Sequence, residues 1–147
     1  MATVHTDQKA TVNRGSVPAL NPKIGMIEKQ VTIGGLVGPA ASDAVAVFQF
    51  TRRTHVIAAG FEVVTPTTNA ITASLGVGGG GGSCTGLLGE SATNGAAGTH
   101  FSGVAQLGIA AADCLDIEVS ADAGAAGAVR VWALIADIED MDAEDVV

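Results

Sequence analysis

The chain has 147 residues, seven Lys and Arg against fifteen Asp and Glu for a formal charge of −8, and 48% apolar residues. That charge argues against a phosphate-binding surface, so nucleic acid is not an expected partner. With 26 Ala and 20 Gly but only four Phe, one Trp and no Tyr, the core has to be built from small side chains. A mean hydropathy of +0.42 then points to apolar surface that other chains would cover.

Residues 1–23 read as an extended N-terminal arm. Residues 1–29 carry Lys9, Arg14, Lys23 and Lys29 against Asp7 and Glu28, a local balance of +2, which suits a segment docked on something. No basic stretch leads into an apolar one near Met1, so the expectation is synthesis in the cytoplasm without a secretory leader.

A β-sandwich domain is expected over 24–138, because apolar residues recur with period two and turn residues return every eight to fifteen positions. A first strand is predicted at 24–33. There Ile27, Lys29, Val31 and Ile33 alternate with Glu28, Gln30 and Thr32 before Gly34-Gly35. A second strand covers 44–50 and a long third 55–65, where Gly60 signals a bulge or a close backbone approach. After the turn at Pro66-Thr67-Thr68-Asn69, Ile71, Ala73, Leu75 and Val77 share one strand face. Gly78 to Gly82 are consecutive glycines, and short strands near 84–89 and 101–109 are expected beyond them, joined by loops. Leu115, Ile117 and Val119 then alternate with Asp116, Glu118 and Ser120, which predicts one buried and one solvated face.

The chain is expected to return through the loop 122–127 as a hairpin strand over 128–138, apolar at both parities and so covered on both faces. Trp132 shares a face with Arg130 and Leu134; a core position suits it, with an interface anchor as the alternative. About eight short strands without a helix predict an all-β fold, an antiparallel β-sandwich or jelly-roll-like domain. The tail 139–147 closes a run, 137–147, that holds six acidic residues and no base. Its composition is that of a solvated segment, and it lacks the Gly turn and distant Glu of a calcium loop.

No motif for chemistry emerges. The two charge-free stretches between Glu62, Glu90 and Asp113 are broken by Gly, Thr, Ser, Asn and Pro66, so neither is a bilayer-spanning helix. Gly76 to Gly81 fits G-x-G-x-x-G, but no helix follows to complete a dinucleotide site. His5, His55 and His100 lack the spacing of a zinc pair. Cys84 or Ser83 with His55 or His100 and Asp113 or Asp116 would form a triad only through folding, and no nucleophile elbow surrounds them. Cys84 and Cys114 are expected as free thiols. Asp116 and Glu118 fit a wet strand face better than an acid/base pair. No enzyme activity, cofactor, metal or small-molecule substrate is therefore expected, and no membrane partner.

Three segments carry a family likeness: Val56-Ile57-Ala58-Ala59-Gly60-Phe61-Glu62-Val63-Val64-Thr65, Ala70-Ile71-Thr72-Ala73-Ser74-Leu75-Gly76-Val77-Gly78, and Gly127-Ala128-Val129-Arg130-Val131-Trp132-Ala133-Leu134-Ile135-Ala136-Asp137. With the acidic, Ala- and Gly-rich composition and the N-terminal arm, the chain resembles the head decoration (cement) proteins of tailed bacteriophages over roughly residues 50 to 138. The resemblance implies a homotrimer on the outer surface of a virion capsid, clamping major capsid subunits where they meet at threefold positions. Within it, the capsid contact falls on Lys9, Arg14, Val17, Pro18, Leu20, Pro22, Lys23 and Ile24, whose prolines and spaced apolar residues suit an extended, strand-adding segment. The trimer contact falls on Trp132 and Leu134. Two other classes stay open: a trimeric tail or fibre-associated module, and a small ligand-binding or hydrolytic β-protein with a polar pocket joining His55 or His100 to Cys84.

Overall fold

The computed structural model describes residues 23–38, 44–51, 53–77, 86–103, 107–109 and 113–137. They form nine strands and no helix: β1 (Lys23–Thr32), β2 (Ala44–Gln49), β3 (Thr54–Thr65), β4 (Thr72–Gly76), β5 (Leu88–Ala92), β6 (His100–Gly103), β7 (Leu107–Ile109), β8 (Cys114–Val119) and β9 (Ala128–Asp137). One sheet runs β1-β9-β3-β6, with β7 also on β3; the other runs β2-β8-β4-β5. All pairs are antiparallel. First strand pairs with last, second with eighth, third with the sixth and seventh, and fourth with fifth. This nested winding is the jelly roll, and it bears out the expected all-β sandwich.

The core lies between the sheets. Val129, Val131, Ala133 and Ile135 of β9, Val56, Phe61 and Val63 of β3, and Leu115 and Ile117 of β8 are fully buried, and all lie on the inner parity of their strands. Phe61 meets Phe101 with ring centroids 5.4 Å apart and a 50° tilt, within the usual range for tilted aromatic pairs. Small side chains fill the rest, with Ala59, Ala73, Ala123 and Ala133 in the same cluster.

One end of the sandwich is knitted by its loops. Ile33 and Gly34 both donate to the Gly127 carbonyl at 2.9 Å, and Gly35 donates to that of Gly124 at 2.7 Å. Asp122 Oδ1 accepts from the Gly124 amide at 2.8 Å, an Asx turn that carries the chain into the left-handed φ of +77° at Gly124. Below it the buried Thr67 and Thr93 hydroxyls bond each other at 2.8 Å, and Thr93 Oγ1 donates to the Ile71 carbonyl at 3.0 Å.

Several expectations change. The segments 115–120 and 128–138 are not a hairpin: β8 pairs with β2 and β4, while β9 pairs with β1 and β3. Alternation says which face of a strand is buried, not which strand lies beside it, and residues 120–127 cross between sheets. The single strand expected over 101–109 is two, β6 and β7, both on β3. The strand expected near 84–89 is Leu88–Ala92. Glu118, expected on a wet face, is 8% exposed. Its strand is interior to its sheet, and its outward neighbours Ser74 and Gly76 are buried as well. The arm residues 1–22, the glycine run 78–82 with Cys84, and the tail from 138 onward lie outside the described residues.

Candidate functional site

The register of the five-stranded sheet arranges its outward side chains in rows. Ile24 lies beside Ala136, Met26 beside Leu134, Glu28 beside Trp132 and Gln30 beside Arg130. Across β9, Leu134 faces Ala58, Trp132 faces Gly60 and Arg130 faces Glu62, and Glu62 in turn faces His100 of β6. One half of the face is therefore apolar and the other polar, with Trp132 on the boundary.

Ile24 is 53% and Met26 51% exposed, and Trp132 and Leu134 are half-buried. Trp132 is thus an outer-face residue rather than a core one, because its parity on β9 is opposite to that of Val131 and Ala133. A glycine seats its ring. A Cβ on residue 60 would stand 2.8 Å from Trp132 Cζ2 and collide with the Phe101 carbonyl oxygen, so the close approach expected at Gly60 is what holds the indole against β3. The two irregularities in β3 fall elsewhere, between Val56 and Ala58 and between Val63 and Thr65.

Around the ring, Met26, Glu28, Glu62, His100, Arg130 and Trp132 line an open depression of about 290 Å³. Arg130 Nη1 donates to Glu62 Oε2 at 3.3 Å, an exposed pair that fixes geometry more than it adds stability. Trp132 and Met26 form an aromatic and aliphatic centre, and Glu28, Glu62, His100 and Arg130 form a charged and polar rim, the anatomy of a recognition surface.

Among the described residues the candidates for chemistry do not converge. His55 and His100 sit against β3 seven residues apart along that strand, or roughly 23 Å at the rise of a β-strand. Cys114 belongs to the other sheet and is free. Burial, then the negative charges of Asp116 and Asp113, push its thiol pKa up, the opposite of what an activated nucleophile needs. Among the described residues no group of three His, Cys, Asp or Glu could hold a metal ion, and no helix is long and apolar enough to cross a membrane. His5, Ser83 and Cys84 lie outside the described residues, as do Lys9, Arg14, Val17, Pro18, Leu20 and Pro22. Lys23 is the first residue of β1. Ile24, Trp132 and Leu134, singled out for two different contacts, share one face. Met26 was missed by the sequence reading, although it has the parity of Ile24 and so breaks the alternation of β1 in the way that β9 is broken; the close approach at Gly60 was expected, but not that Trp132 is what lies there.

No protein-family model matches the sequence, and neither does any curated protein. Solved structures do share the fold. A chain in the acidic stable capsid structure of Helicobacter pylori bacteriophage KHP30 is 11% identical, with a TM-score of 0.57 over 77% of this chain and 86% of that one. A chain in the capsid asymmetric unit of cyanophage Pam1 is 22% identical, with a TM-score of 0.57 over 78% of this chain and 85% of that one.

Proposed function

We propose that this protein is a structural component of a bacteriophage virion that decorates and cements the outer surface of the capsid, clamping neighbouring major capsid subunits as a homotrimer. The observation that carries the reading is the outer face of the five-stranded sheet. On it Ile24 and Met26 are about half exposed beside Trp132 and Leu134, on a jelly roll whose fold occurs in two phage capsid structures. A monomer leaves that apolar strip in water, and a closed cyclic trimer covers it. The strip reaches the start of β1, where the arm begins.

The arm, with Lys9, Arg14, Val17, Pro18, Leu20, Pro22, Lys23 and Ile24, supplies the shell contact. About 20 extended residues reach roughly 65 to 70 Å, enough to lie on adjacent capsid subunits. A clip that binds only the assembled lattice stabilises it in proportion to its occupancy, and this needs no reaction. The test is co-sedimentation with empty heads of the parent phage. The full chain should pellet with heads at hundreds of copies per particle, and the chain lacking residues 1–22 should remain trimeric and stay in the supernatant. Pelleting that is unchanged by the deletion would refute the arm's role, and a few dozen copies per particle would point to a tail or fibre module instead.

A further inference from the structure

Each sheet has an edge strand on the same flank of the sandwich. β1 ends the five-stranded sheet and β2 the four-stranded one, and Lys29 joins the two, its Nζ donating to the Val47 carbonyl at 3.2 Å. The opposite flank is shut by close contact: a Cβ on Gly103 of β6 would collide with the carbonyl oxygen of Leu87, the residue before β5. On the β1 and β2 flank no further described strand pairs with either edge. Edges of this kind are templates for a strand of another chain.

Lys29 breaks the pattern of its own strand. It lies opposite the buried Val131 of β9 and between the buried Ile27 and Val31, so it has core parity and an apolar residue would complete the row. Its stem instead crosses the gap between the two edges, and the residue stays exposed. Val47 is irregular too: the register of β2 on β8 shifts between Ala46 and Phe48, which leaves residue 47 outside the ladder. An inward-pointing lysine on one edge and a bulge on the other are devices that keep sheet edges from adding strands. We propose that Lys29 guards this flank against a second copy of the chain, whose β1 matches the open edge in length and alternation. A second β1 laid antiparallel on the first would bring another ammonium into the gap, and the lysines would have to give up water and the Val47 bond. The guard does not rest on the trimer reading, because the apolar strip has the opposite parity on β1.

The test is sedimentation velocity over a concentration series with full-length chains carrying K29R, K29V or K29T, each also combined with M26E so that the apolar strip cannot drive association. K29R should keep the mass of its background. K29V and K29T should form larger species that grow with concentration, in which the amides of residues 23–32 exchange about tenfold more slowly than in the parent. K29T removes the charge without adding much apolar surface, so growth of both variants marks an opened edge rather than a sticky side chain. Variants that keep the mass of their background, or larger species whose β1 amides exchange as in the parent, would overturn the inference. Failure of the trimer reading would show separately, as a parent mass that M26E alone leaves unchanged.

Discussion

Trp132 keeps its place because residue 60 has no side chain. The indole lies against the β3 backbone where a methyl group would meet both Trp132 and the Phe101 carbonyl. Gly60→Ala should therefore destabilise the fold by about 1–3 kcal/mol, as overpacking of a tight site does, and urea unfolding would measure it. A loss within error of zero would mean that β6 and the ring both give way there at no cost. Cys114 gives a prediction in pH. Its folded thiol pKa is raised, by burial first and then by Asp116 and Asp113, so the folded state holds its proton more tightly than the unfolded chain. The stability linked to this group is complete below the ordinary thiol pKa and is lost as pH rises through the folded value. Unfolding midpoints should fall on the alkaline side for the parent and less so for Cys114→Ser. At pH 8 a thiol reagent should label folded Cys114 more slowly than free cysteine.

At the scale of strands, alternation made most of the sandwich legible and left its wiring hidden. The inner residues of β8, Leu115, Ile117 and Val119, are buried as their spacing predicts. So are Ile27 and Val31 of β1, but Lys29 between them is exposed and reaches across to the Val47 carbonyl. Partner choice was not legible, because a strand's own pattern is satisfied by any neighbour that continues the sheet. This is why β8 and β9, eight residues apart, read as a hairpin and yet lie in different sheets. The covered outer face at Glu118 was hidden for a related reason: it depends on β8 being interior to its sheet. For the candidate face, the parity of Trp132 and Leu134 on β9 was readable, but their meeting with Ile24 and Met26 required the pairing of β1 with β9. The element to test is that strip. Met26→Glu places charge at its centre without touching the core, so it should disperse the proposed trimer while circular dichroism and the unfolding midpoint stay near those of the parent. An unchanged oligomer would move the contact to another surface.

For the whole molecule, the jelly roll ties its first described strand to its last, with Lys23 opposite Asp137. Such non-local pairing predicts refolding in the millisecond-to-second range rather than in microseconds, which stopped-flow fluorescence of the single Trp132 can follow. The same wiring places β1 at the edge of its sheet, so an open strand edge adjoins the apolar strip. A surface with an aromatic and aliphatic centre and a charged rim suits adhesion. The most direct test is the native mass of the full chain by sedimentation equilibrium. A trimer that dissociates on Trp132→Ala, with its dissociation constant raised by about 30-fold or more as loss of an interface anchor implies, is the predicted result. A stable monomer at high concentration, with Ile24, Met26 and Trp132 left in water, would contradict it.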